Sequence, residues 1–243
     1  MVHVQDTSTT MVAVNTLYNV GARDEHPHLT GMAHLFEHLM FGGSANIADF
    51  DGRLSAAGGN SNAWTSSDFT NFYCVLPAVN LSTALWLESD RMLRLAFSDR
   101  ALEVQRSVVI EEFKQVCLNR PYGDMEHAFR SLAYTVHPYR TPVIGKDFSH
   151  IEKVTQEDVR QWFYSHYSSG NAVLAISGNV TFEEAVELVE HYYSSIPSRH
   201  TAPREYGQEP PQTTPRTHIM SGDVPQTAIR IGFPMERYGT RGY

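Results

Sequence analysis

Apolar and polar positions alternate through Thr10–Val20 (TMVAVNTLYNV), and this period of two predicts a β-strand rich in Val, Thr and Tyr. A polar loop follows, GARDEHPHLT. The apolar spacing then changes to three and four through TGMAHLFEHLM. That change predicts a helix with Thr30 as its N-cap and Gly42-Gly43 as its stop. A glycine turn opens AAGGNSNAWTSSDFTNFYCVLP, which reads as a second strand over roughly Asn62–Leu76. Helical spacing returns after Pro77 in NLSTALWLESDRMLRLAF, again from Asp99 to about Val116, and once more around Asp124–Tyr134. His137–Gly145 is a loop punctuated by two prolines. Thr155 starts a helix with Asp158 three residues on, close to a capping box. NAVLAISGNV (Asn171–Val180) is mostly apolar and predicts a third strand, buried on both faces. Thr181 caps the helix after it.

Beyond Ile196 the pattern fades. Pro197–Thr217 holds five prolines and few apolar residues, the composition of a linker. Gln226–Met235 (QTAIRIGFPM) predicts one more strand, and the chain ends eight residues later. The expected organisation is a domain over 1–196, a linker over 197–217, and over 218–243 the opening strand of a truncated second domain.

Composition narrows the function. A chain of 243 residues with 42% hydrophobic and 19% charged residues can bury a sizeable core. Its net charge of -8 repels a phosphate backbone and argues against a nucleic-acid partner. No apolar run reaches the ~20 residues of a membrane span, so no membrane partner is expected. The opening MVHVQDTSTT lacks a basic start and an apolar core. A cytoplasmic location is the expectation, and a periplasmic one if the native N-terminus is missing. Cys74 and Cys117 are the only cysteines, too few for a disulfide framework or a thiolate metal site.

The helix through HLFEH carries the candidate chemistry. His34 and His38 stand one helical turn apart and can aim ring nitrogens at one ion, with Glu37 on the same side. Two imidazoles and a carboxylate with an open position suit zinc. Zinc lowers the pKa of a bound water, and an adjacent carboxylate can take its proton. Glu37 fits that general base, in the inverted form of the H-E-x-x-H pattern. A third ligand is needed, and LEVQRSVVIEEFKQV offers Glu111 and Glu112. Val104, Val108, Val109, Phe113 and Val116 define a buried direction on that helix. Glu112 falls about 25° from it and Glu111 about 120°, so Glu112 is expected to point inward. Gln105 faces the same way and could hydrogen-bond a ligand or its water.

Together these residues resemble the insulinase–pitrilysin zinc peptidases, which include the mitochondrial processing peptidases. The likeness rests on His34-x-x-Glu37-His38 with LMFGGS after it, on Glu112 beyond, and on GGNSNAWTSSDFTNFY, HPYRTPVIGKD and NAVLAISGNV. It implies an α+β domain, a mixed and mostly antiparallel sheet with helices packed on it. It implies Zn2+ held by His34, His38 and Glu112, with Glu37 as base. It also implies that Asn62, Ala63, Trp64 and Thr65 lie on an exposed edge, where a peptide substrate adds itself as an extra strand. Gln105 departs from the pattern, because members often have a second glutamate there; an amide can orient but cannot share a proton. Members close two halves around the peptide, so the resemblance implies a second half or a homologous subunit, in a homodimer or heterodimer. The expected function is a zinc-dependent endopeptidase acting on small or extended polypeptides. The alternative is a non-catalytic peptide-binding scaffold subunit, against which the intact base argues. A small-molecule metallohydrolase or lyase is a third reading, disfavoured by the edge strand and the linker.

Overall fold

The computed structural model describes residues 1–199, 201, 204–236 and 238–242. Five strands form one sheet: β1 (Val2–Gln5), β2 (Met11–Tyr18), β3 (Asn60–Thr65), β4 (Thr70–Pro77) and β5 (Ala172–Gly178). Their order is β1-β5-β2-β4-β3; β1 runs parallel to β5 and the other pairs are antiparallel. Among the described residues eight α-helices accompany them: α1 (Met32–Leu39), α2 (Phe50–Ala56), α3 (Leu81–Leu93), α4 (Asp99–Phe113), α5 (Met125–Ala133), α6 (Phe148–Glu152), α7 (Gln156–His166) and α8 (Phe182–Tyr193). This is the α+β architecture expected.

Strict alternation along β2 decides which face is covered. Val12, Val14, Thr16 and Tyr18 are buried, while Met11, Ala13, Asn15 and Leu17 are half-buried. The buried set joins Phe72, Cys74 and Leu76 of β4 and Leu174 and Ile176 of β5 under the helices. One cluster packs α1, α4, α6 and α7 against Tyr18 and Phe72; the other packs α2, α3 and α8 against Val12, Val14 and Cys74. An ion pair lies inside the core. Arg91 donates to Glu88, which also accepts from Thr16 (3.0 Å), and the guanidinium lies 4.5 Å from the ring centres of Phe50 and Phe72.

Several expectations are corrected. Asn62–Leu76 is not one strand but the β3–β4 hairpin, because Ser66 turns the chain: its hydroxyl accepts from the Asp68 and Phe69 amides at 3.1 and 2.9 Å. β5 is not buried on both faces, for Val173 is 50% exposed; helices cover only one side of the sheet there. The helix from Asp99 ends at Phe113 and widens into a π turn over Lys114–Leu118. Two short helices went unpredicted, α2 and α6, capped by Asp49 and Asp147. Gln226–Met235 forms no strand among the described residues, and Ile229, Ile231 and Phe233 stand exposed. A strand needs a partner ladder, and none lies beside this segment. The box expected at Thr155 is present, and Thr181, expected as a cap, forms a full box with Glu184.

The proline-rich segment leans on the domain through polar contacts. Arg204 and Tyr206 donate to Asp24 at 2.9 and 2.6 Å. Glu209 accepts from the amides of Thr135, Val136 and His137. Gly21 approaches the hairpin turn so closely that a Cβ would lie 2.6 Å from the Ser66 carbonyl oxygen.

Candidate metal centre

α1 is short and deeply set. Leu35, Phe36 and Leu39 face the core, with Phe36 against the rings of Tyr167 and Phe163 (centroids 4.4 and 6.1 Å apart). Burying that stripe turns His34 and His38 toward the opposite side, where α4 passes. Thr30 does not cap α1, contrary to expectation. Gly31 is the N-cap, at φ 88°, and the Thr30 hydroxyl instead meets His150 Nδ1 (2.8 Å) and accepts from the Lys146 amide (2.8 Å).

The donors converge. His34 Nε2 and His38 Nε2 are 3.3 Å apart, and Glu112 Oε2 lies 3.7 Å from each. One ligand atom from each of the three residues falls within 4.8 Å of the others. A tetrahedral ion with bonds of about 2.1 Å has donor–donor edges of about 3.4 Å, so these separations fit zinc. Burial, and then the neighbouring His38, pushes the His34 imidazole down to about 4. His34 is therefore a neutral donor at physiological pH, the form that binds a metal.

Glu112 reaches the site, but not for the reason its helix suggested. Val104 and Val108 are 50% and 45% exposed, so they do not mark the buried side. The buried stripe of α4 is narrower: Leu102, Val109 and Phe113. Glu112 is half-exposed and looks into an open trough of about 410 Å³ lined by Ser107, Val108, Glu111 and Gln115. Glu111 points away and pairs with Lys114 at 2.6 Å. Gln105, half-buried on the same helix, makes no hydrogen bond to the cluster among the described residues.

Glu37 stands beside the donors. Burial raises its proton affinity, against the pull of the Thr65 hydroxyl, which donates to Glu37 Oε2 at 2.5 Å. Thr65 ends β3, the outermost strand, which pairs with β4 alone. Its other rim has free pairing capacity. Asn62 and Trp64 are exposed there, and the Ala63 amide donates to the Asn62 side chain at 2.8 Å. The predicted edge and the predicted base are thus joined by a hydrogen bond. Two participants escaped the sequence reading: the link from Thr65 to Glu37, and Glu25. Glu25 accepts from the amides of Gly31 and Ala33 (2.8 and 2.9 Å), and its only signal was an acid in the polar loop before α1.

Comparison with known proteins decides the family. The profile described as Insulinase (Peptidase family M16) matches residues 1–147, and that described as Peptidase M16 inactive domain matches 153–243. The chain belongs to the insulinase family. Among its insulinase-family relatives, it is 31% identical over 222 residues to the zinc protease PqqE of Helicobacter pylori, across 90% of this chain and 50% of that protein. It is 24% identical to the mitochondrial-processing peptidase subunit beta of Caenorhabditis elegans, across 95% of this chain and 49% of that protein. The fold matches the crystal structure of a protease from Helicobacter pylori with a TM-score of 0.78 at 31% identity, over 83% of this chain and 50% of that one. Pitrilysin matches with a TM-score of 0.73 at 19% identity, over 85% of this chain and 22% of that one. This insulinase-family chain spans about half the length of the curated relatives it matches.

Proposed function

We propose that this chain supplies the metal centre, the general base and a substrate-binding edge of a zinc endopeptidase that hydrolyses peptide bonds in small or extended polypeptides. The observation that carries the reading is the meeting of His34, His38 and Glu112 from two separate helices, with Glu37 beside them. When bound, zinc acts as a Lewis acid toward the scissile carbonyl and makes water a stronger acid. His34 and His38 would hold it through Nε2, and Glu112 would offset part of its charge. Glu37 takes a proton from the attacking water and passes it to the departing amine. The Thr65 hydroxyl occupies one Glu37 oxygen and leaves the other for the water. Backbone groups on the outer rim of β3 pair with the extended substrate, which binds peptides with little side-chain preference. A second half of the protein, or a homologous subunit, closes over the cleft, with residues 197–217 as the linker toward it and 218–243 as the opening of a further domain.

The test uses the full-length protein, quenched peptides of mixed length, and a chelator. Turnover should need zinc. Glu37→Gln should retain zinc and lose activity by about 10²- to 10⁴-fold, the usual range for a proton-transfer group. Unchanged turnover in Glu37→Gln removes it from the base role. Zinc uptake by the wild type without cleavage of any peptide favours the scaffold subunit.

A further inference from the structure

α1 carries both imidazoles, yet nothing local closes its N-terminus. Gly31, the N-cap, has no side chain, and Thr30 is engaged elsewhere. A two-turn helix without a cap frays from its first turn. His34 is the third helical residue and lies in that turn, whereas His38 lies in the last. Two amides at this end are taken from outside by Glu25, which is half-buried. Its Oε2 accepts from Gly31 and its Oε1 from Ala33. The anchor is itself fixed. Asp24 accepts from the Gly21 amide (2.8 Å), from Arg204 (2.9 Å) and from Tyr206 (2.6 Å). On the other side Gly31 packs so closely that a Cβ would sit 3.0 Å from the Ile144 carbonyl oxygen.

We propose that Glu25 is a positioning residue for the metal centre: by gripping the amides of Gly31 and Ala33 it holds the turn that aims His34 Nε2 at the point His38 and Glu112 share. The proposal rests on the zinc reading given above. Loss of the grip should act unequally, loosening His34 while His38 stays in register. The three donors then no longer wait in place, and metal affinity falls before the fold does.

Zinc dissociation constants, measured by chelator competition on the full-length protein, test this with Glu25→Ala, Glu25→Gln and His34→Ala. Glu25→Ala should weaken zinc by about 10- to 100-fold, the range for groups that orient metal ligands. Glu25→Gln should weaken it less, since its carbonyl oxygen still accepts from one amide. In zinc-free Glu25→Gln, amide exchange should quicken over residues 31–35 and not over 36–39. Glu25→Ala that folds and binds zinc like the wild type overturns the proposal. Should Glu25→Ala fail to fold, unchanged exchange over 31–35 in Glu25→Gln overturns it instead. A wild-type protein that takes no zinc, or His34→Ala that binds like the wild type, overturns the zinc reading and the proposal with it; tight wild-type binding with an indifferent Glu25→Ala overturns the proposal alone.

Discussion

The two helices that meet at the metal centre are held in opposite ways. α1 buries five of its eight residues and is fastened by the distant Phe163 and Tyr167 rings and by Glu25 in the loop before it. α4 buries three of fifteen, starts with its own Ser98 cap, and leaves Val104 and Val108 in the open. The imidazole pair is therefore located by core packing, and the carboxylate by the direction and length of a surface helix. One ligand set combines a rigid half with an exposed half. The exposed half borders an open trough.

Substitutions put this contrast to the test. Phe36→Ala, which empties the space between α1 and the Phe163 and Tyr167 rings, should cost about 3–5 kcal/mol of unfolding free energy in a denaturant titration. A loss under about 1 kcal/mol would mean that α1 is not pinned by the core. Glu112→Gln should leave stability nearly unchanged and weaken zinc by more than about 100-fold, or about 2.7 kcal/mol. Glu111→Gln is the control, and an equal loss there would move the ligand to the neighbouring position. Val108→Ala should change stability by less than about 0.5 kcal/mol, as at other exposed sites. A larger cost would show α4 to be as firmly packed as α1.

The same contrast explains what the sequence made legible. Local signals worked where the structure is locally determined. The alternation of β2, the boxes at Thr155 and Thr181, and the His34–His38 spacing all depend on near neighbours. Long-range packing defeated the rest. Thr30 has the chemistry of a cap, but the loop at Lys146 and His150 claims it. Val104 and Val108 are apolar, so a period argument counted them as core. Glu112 nevertheless meets the imidazoles. The turn at Ser66–Phe69 opens with the polar run Ser66-Ser67-Asp68, which could have divided the second strand. Gln226–Met235 alternates like a strand, yet alternation cannot supply a neighbour to pair with. Nothing in the local pattern of Glu25 tells that its carboxyl reaches two amides beyond the loop.

The closeness of Gly21 to the hairpin turn has a consequence for the chemistry. That turn leads directly from Thr65, whose hydroxyl donates to Glu37, so a spacer one hydrogen atom thick separates the loop after β2 from the strand that holds the proposed base. Adding even a methyl group at residue 21 would shove the hairpin outward, and the lesion would surface at the Thr65–Glu37 contact rather than as a hole in the core.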